Sequence, residues 1–131
     1  MKLITRDTDY AIRALCCMAA KGGEVISVKD MASSLSIPRP FLRKILQKLH
    51  KEGILTAMKG KGGGFKGSSS LPETTLFNVV MIFQGDFSLS DHTSGKIACP
   101  GMNSCKLKIH IDGLEQTVAN RLKNIRIKEL V

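Results

Sequence analysis

The stretch that most limits the possible folds is SVKDMASSLSIPRPFLRKILQKLHKEG, residues 27–53. Ser27 opens an S-x-x-[DE] capping pattern, which predicts the start of a short helix. Pro38 and Pro40 are tolerated only in the first turn of a helix, where the missing N–H would have no partner anyway, so a second helix is predicted to begin there. Gly53 then ends it. The stretch therefore predicts two helices joined by a tight turn.

The second predicted helix separates its apolar side chains from its polar ones. The apolar residues recur at the spacing of one buried face and are Phe41, Leu42, Ile45, Leu46 and Leu49. The residues left to point outward are Arg39, Arg43, Lys44, Gln47, Lys48 and Lys51. This arrangement is typical of a helix-turn-helix, in which the N-terminal part of the second helix enters the DNA major groove. The alternative is a charged face that is merely solvated.

A hairpin rich in glycine and lysine follows. Residues 54–58 are predicted to form one strand and residues 65–67 its partner, with glycines free to take positive φ at the tip. Lys59, Lys61 and Lys66 lie on this hairpin. The pattern is typical of the wing of a winged helix-turn-helix, which approaches phosphates or the minor groove. A nucleotide cradle is a poor alternative, since the G-x-x-x-x-G-K-[ST] order is absent and no helix starts directly after the glycines.

The charge of the chain is concentrated in this region. The formal net charge is +9, which favours an extended anionic partner, with nucleic acid first and an acidic membrane surface second. Residues 38–66 contain eight Lys and Arg residues against the single acid Glu52, a cluster that a merely solvated face does not explain. Aromatic residues make up only 5% and Trp is absent, which disfavours the stacking of unpaired RNA bases.

The cysteines are predicted to be reduced. No apolar run approaches the roughly 18–20 residues of a spanning helix, and the opening MKLITRDTDY is unlike a signal peptide, so we expect a cytoplasmic protein. Glutathione keeps thiols reduced in that compartment, so Cys16, Cys17, Cys99 and Cys105 are not expected to form a structural disulfide set. Cys16 lies on an apolar helix face, where a small thiol packs well.

The C-terminal half predicts two further helices. One spans the apolar positions of residues 76–83 and ends at Gly85, and a turn-rich loop follows it. Leu107, Ile111, Leu114, Val118, Leu122 and Ile125 then recur close to a heptad spacing. This helix is predicted to form a dimer, or else to pack on its own core.

The predicted fold is mostly α with a small β-hairpin wing: a winged helix-turn-helix plus a long C-terminal dimerisation helix. The predicted division is residues 1–85 for the DNA-binding domain, 86–104 for a sensor loop with cysteines, and 105–131 for the dimerisation helix and tail. The predicted dimer contacts are Leu107, Ile111, Leu114, Val118 and Leu122.

These features together resemble the Rrf-two (Rrf2) family of bacterial winged-helix transcription regulators, of the IscR and NsrR kind. The resemblance is carried by TDYAIRAL, IPRPFLRKILQKLHKEGIL, KGKGGGF, the cysteine loop and LKNIRIKELV. It implies a homodimer on a palindromic operator in double-stranded DNA, with each second helix in a major groove and each wing near a minor groove. The residues predicted to contact DNA are Arg39, Arg43, Lys44, Gln47, Lys48, Lys59 and Lys61.

The resemblance also implies an iron-sulfur cluster, of the 2Fe-2S or 4Fe-4S type. In cluster-binding members three cysteines of this loop hold the cluster, and Cys99 and Cys105 match the last two. The first would fall near residues 91–93, where this chain has DHT. Thiolates suit such clusters, but a site needs about four ligands, so the predicted additional ligands are His92 together with either Asp9 or His110. Asp9 matches an acid that some members supply from the partner subunit.

The leading hypothesis is a sequence-specific transcription regulator, a repressor, whose DNA affinity is controlled by an iron-sulfur cluster that senses redox state, iron or nitric oxide. An alternative keeps the DNA binding but uses Cys99 and Cys105 as a thiol switch, or leaves signalling to an effector or partner protein. A remote alternative is a thiol enzyme with Cys99 as nucleophile and a histidine as base. An enzyme is not expected, because no orienting third group or oxyanion donor set is evident.

Overall fold

The computed structural model describes residues 2–91 and 94–131 and consists of helices and a small antiparallel hairpin. The elements in chain order are α1 (Arg6–Ala20), α2 (Val28–Leu35), α3 (Arg39–Lys51), β1 (Leu55–Met58), β2 (Gly64–Gly67), α4 (Leu76–Gln84) and α5 (Lys106–Lys123). Short 3₁₀ turns lie at Met102–Ser104 and Ile127–Leu130. This order confirms the predicted fold class.

The helix-turn-helix forms through local capping. The Ser27 hydroxyl accepts a hydrogen bond from the Asp30 backbone N–H at 3.1 Å and so caps α2, as the sequence predicts. Ser36 ends α2 in the left-handed conformation, with φ of 55°. Its buried neighbour Ile37 anchors the turn. Pro38 is the N-cap residue of α3 without a side-chain capping hydrogen bond, and its carbonyl accepts from the Leu42 N–H at 3.0 Å. Only two residues thus separate the C-cap Ser36 of α2 from the start of α3.

One hydrophobic core holds these elements together. The first helix contributes Ala11, Leu15 and Met18, and the apolar face of α3 packs against it. The buried side chains of α3 are Leu42, Ile45, Leu46 and Leu49. Phe41, which the sequence assigns to this face, is instead 42% exposed. It lies in the first turn of α3, beyond the reach of the core.

The wing is a two-stranded hairpin that docks on the segment before α2. Leu55 pairs with Gly67 at its base, and Phe65 forms an antiparallel bridge with Ile26. Gly64 has a φ of 154°, and a Cβ atom at this position would lie 2.1 Å from the Ile26 carbonyl oxygen. Glycine is therefore required where the wing meets the body of the protein.

The C-terminal segment packs back against the start of α4. The Ile127 N–H donates to the Thr74 carbonyl at 2.9 Å, and the Leu76 N–H donates to the Ile125 carbonyl at 2.9 Å. Ile127 is fully buried. These contacts anchor the end of α5 at the start of α4.

The predicted seam of α5 divides between two environments. Leu122 is only 6% exposed in the single chain, so it presents less surface to a second copy than the other predicted dimer contacts do. Leu107 and Leu114 are 58% and 55% exposed. Within the part of the chain that the structure describes, no helix is long and apolar enough to cross a membrane.

Candidate functional site

The outward face of α3 carries basic side chains whose charges are not neutralised. Arg39, Arg43 and Lys44 are all exposed, as is the neighbouring amide Gln47. Within residues 2–91 and 94–131, none of these three cations takes part in an ion pair, whereas the ion pairs formed elsewhere involve Arg6, Arg13, Lys96, Lys108, Arg126 and Lys128. Free cations on one helix face suit a polyanionic ligand such as duplex DNA.

Lys48 lies at the edge of this face. Its ammonium is 5.2 Å from the centroid of the Phe83 ring on α4, a cation–π distance. The side chain is exposed but leans toward α4. Lys48 therefore lies at the margin of the outward face, beside α4.

The tip of the wing presents two exposed lysines, Lys59 and Lys61. The glycines between the strands let the chain turn sharply: a Cβ atom on Gly63 would lie 2.4 Å from the Met58 carbonyl oxygen. A compact tip with cations and little side-chain bulk can approach a narrow groove closely.

The first helix braces the helix-turn-helix from behind. The Arg13 guanidinium donates a hydrogen bond to the carbonyl of Leu35, the last residue of α2. It also lies 3.9 Å from the Asp9 carboxylate. Asp9 is exposed.

Cys99 and Cys105 lie in the segment between α4 and α5, and both are half-buried free thiols. Cys105 is the N-cap residue of α5, but its side chain makes no capping hydrogen bond. The root of the loop is tied to α5, because the Leu89 N–H donates to the Glu115 carboxylate at 2.7 Å. Cys105 therefore lies at the entry to α5, and Cys99 precedes it by six residues in the same segment.

The described residues of one chain do not complete a metal site. Among residues 2–91 and 94–131, no three His, Cys, Asp or Glu side chains come together in a group that could hold a metal ion. The structure thus does not bring Asp9 or His110 of the same chain to the two thiols. His92, the other predicted ligand, lies outside the described residues.

The other two cysteines belong to the core side of α1. Burial, followed by the neighbouring Cys17 thiol, raises the pKa of the Cys16 thiol, which disfavours its thiolate. Both residues pack against the hydrophobic core. This contact with the core favours a packing role for Cys16 and Cys17.

An exposed apolar stripe runs along α5. Leu107 and Leu114 lie on it, with the half-buried Ile111 and Val118 beside them. Ile109 is exposed as well, at 67%, although the heptad pattern does not include it.

This chain has the features of the winged helix-turn-helix DNA-binding proteins. The second helix of its helix-turn-helix carries a basic face without ion pairs among the described residues, and a hairpin with lysines at its tip lies beside it. The chain belongs to the Rrf2 family: the family model described as "Iron-dependent Transcriptional regulator" matches residues 4–131. The resemblance that the sequence motifs carry is thereby confirmed. Since proteins of this family are transcriptional regulators, the thiol-enzyme alternative is not retained.

Two relatives are similar in sequence to most of the chain. Protein aau3 of Rhizobium meliloti (strain 1021) is 30% identical over 129 residues, covering 98% of this chain and 84% of that protein. The HTH-type transcriptional regulator NsrR of Bacillus licheniformis is 32% identical over 97 residues, covering 73% of this chain and 67% of that protein.

A solved structure shares the fold. The structure of CymR, the global cysteine regulator of B. subtilis, superimposes with a TM-score of 0.80 at 19% identity, covering 99% of this chain and 96% of that chain. At this identity the similarity establishes the winged-helix architecture.

Proposed function

We propose that this Rrf2-family transcriptional regulator acts in the cytoplasm as a homodimeric repressor that binds a palindromic operator in double-stranded DNA. The observation that carries the proposal is the outward face of α3, where Arg39, Arg43 and Lys44 have no ion-pair partner among the described residues. Arg43, Lys44 and Gln47 would face base edges in the major groove.

The remaining predicted DNA contacts have backbone roles in this proposal. Arg39, Lys48, Lys59 and Lys61 would neutralise phosphates, with Lys59 and Lys61 acting from the wing near a minor groove. Such contacts fix the position of the protein on the duplex and carry little sequence information.

The homodimer would form through α5. Leu107 and Leu114 expose more than half of their surface in the single chain, and burying such a stripe against a second copy stabilises a dimer. The half-buried Ile111 and Val118 would complete the contact. A two-fold dimer presents two copies of α3, which matches two half-sites of a palindrome.

Cys99 and Cys105 are the proposed input to this regulator. An iron-sulfur cluster is the first candidate, supported by the family description and by two soft thiolate donors in one loop. Among the described residues of one chain, no third candidate ligand joins the two thiols. His92, His110, or Asp9 supplied by the partner subunit, would complete the set. A bound cluster would supply sensitivity to redox state, iron or nitric oxide.

A thiol switch is the second candidate, favoured by the lack of a third ligand beside the two cysteines in the described chain. In this case Cys99 and Cys105 lose two electrons and two protons to an oxidant such as a peroxide and form a disulfide. The bond would tie the loop to the N-cap of α5, because Cys105 is the N-cap residue.

Iron and sulfide content after anaerobic reconstitution decides between the two inputs. We expect the wild type to bind iron and sulfide that the Cys99→Ala/Cys105→Ala variant does not bind. A Cys16→Ala/Cys17→Ala variant is the matched control and should behave like the wild type. Single variants His92→Ala, Asp9→Ala and His110→Ala then identify the other ligands. If the wild type binds no more iron than the double variant, the cluster is excluded, and DNA binding with and without peroxide tests the thiol switch.

A further inference from the structure

Phe41 is the one residue of α3 whose position differs from the sequence prediction. It lies in the first turn of the helix that would enter the major groove, and 42% of its surface is exposed. Its side chain is an apolar surface at the end of the helix closest to DNA in a helix-turn-helix.

The surroundings of Phe41 are basic. Residues three and seven positions apart share one side of a helix, so Phe41 lies on the same side as Lys44 and Lys48. Both lysines are exposed. A DNA groove offers partners for both kinds of side chain: phosphates can bind the cations, and the methyl groups of thymine can contact the aromatic ring.

Arg6 of α1 joins this surface. Its guanidinium lies 4.7 Å from the centroid of the Phe41 ring, a cation–π contact between the start of α1 and the start of α3. Arg6 is itself exposed and pairs only with the exposed Asp7, at 3.2 Å, among the described residues. A surface ion pair of this kind is weak and can yield to a phosphate.

The start of α1 is held firmly by the end of α4. The Gln84 side-chain oxygen accepts hydrogen bonds from the Thr5 N–H at 3.0 Å and from the Thr8 hydroxyl at 2.7 Å. The Gln84 amide nitrogen donates to the Leu3 carbonyl at 3.1 Å. Arg6 therefore projects from a fixed backbone, which favours a defined contact over a mobile one.

We propose that Phe41 and Arg6 form one DNA-reading unit: the Phe41 ring contacts the C5-methyl group of a thymine in the major groove, and the Arg6 guanidinium, held over that ring, neutralises the neighbouring phosphate. This inference rests on the proposed function, since it requires α3 to enter the groove. It adds an apolar, specificity-determining contact to a surface otherwise predicted from basic residues alone.

Replacement of thymine by uracil tests the Phe41 contact, because it removes only the methyl group. An operator is first selected from random duplexes with the wild-type protein, and each thymine of a half-site is then replaced by deoxyuridine. We expect one position per half-site at which the wild type loses affinity about fourfold, the value of one buried methyl group. Phe41→Ala should be insensitive at that position, while Phe41→Leu, which keeps an apolar side chain, should retain part of the discrimination.

The salt dependence of binding tests Arg6. Arg6→Ala should lower the slope of log affinity against log salt concentration by about 0.9, the loss of one phosphate contact. Lys123→Ala is the matched control, since the Lys123 ammonium lies over the Phe77 ring at the same 4.7 Å but on α5, and it should leave the slope unchanged. Thermal unfolding of each variant verifies that it is folded.

The outcomes separate this inference from the proposed function. If the wild type selects no operator, the proposed function fails. If it selects one, but no thymine-to-uracil change distinguishes the wild type from Phe41→Ala, the Phe41 contact is overturned. An unchanged salt slope for folded Arg6→Ala overturns the phosphate contact.

Discussion

At the scale of single residues, the unpaired cations of α3 and of the wing are predicted to differ in what they do. Arg43 lies on the face proposed to read bases, so Arg43→Ala should weaken binding to the operator by about 1–3 kcal/mol and relax its sequence preference. Lys61 lies at the wing tip, so Lys61→Ala should weaken binding to all sequences similarly. Titration of each variant against operator and random duplexes measures both effects. Equal loss on both duplexes for Arg43→Ala would contradict a base-reading role.

Replacing glycine by alanine is predicted to have opposite effects on stability at two positions. Gly64→Ala places a Cβ atom 2.1 Å from the Ile26 carbonyl oxygen at a φ of 154°, so it should lower the free energy of unfolding by at least about 1–3 kcal/mol. Gly113 lies inside α5, where a Cβ atom would point into open space, so Gly113→Ala should raise the free energy of unfolding by about 0.5–1 kcal/mol. Urea unfolding measures both. A neutral Gly64→Ala would show that the wing does not dock on Ile26.

At the scale of elements, α5 is predicted to hold the dimer. Leu114→Asp with Val118→Asp puts two charges on the exposed stripe, so the variant should be a monomer at micromolar concentration and bind the operator poorly. Asn120→Asp is the matched control, because Asn120 is exposed on another side of the same helix. Sedimentation measures the state of each protein. A monomeric wild type would refute the dimer.

The helices also show which structural features can be predicted from the sequence. Capping at Ser27 and the two prolines predict the helix-turn-helix closely, because these constraints act within a few residues. The heptad pattern predicts α5 but not the environment of Leu122. Eight residues turn a helix about 80° beyond two full turns, so Leu122 points away from the direction of Leu114 and into its own chain. Burial of that kind depends on which neighbour covers each side.

The exposure of Phe41 has the same explanation. Its spacing fits the apolar face of α3, but the ring is 42% exposed and is contacted by the Arg6 guanidinium of α1, which only the structure shows. The contact with α1 joins residues 35 positions apart, and no local pattern predicts such a pair. The predicted metal ligands also cannot be assembled from local sequence patterns, since Asp9 would act from a second chain.

At the scale of the whole molecule, the two proposed functions lie in different places: DNA binding on the basic surface of α3 and the wing, and sensing in the cysteine loop before α5. The basic surface of α3 and the wing faces outward, and the cysteines lie at the start of α5, whose far end is anchored to α4 through Ile125 and Ile127. A change at Cys105 therefore acts on a helix that is fixed to the DNA-binding unit at one end and proposed to contact the partner subunit along its side. This arrangement connects the proposed input to both the dimer and the DNA-binding face.

The most direct test of the account is the affinity of the purified protein for its selected operator and for random duplex DNA, measured over a range of salt concentrations. Binding through several Lys and Arg contacts should fall steeply with salt, by a slope of about 0.9 for each phosphate neutralised. The operator should bind at least about 10³-fold more tightly than random DNA. Salt-insensitive binding, or equal affinity for the two duplexes, would contradict sequence-specific recognition by α3.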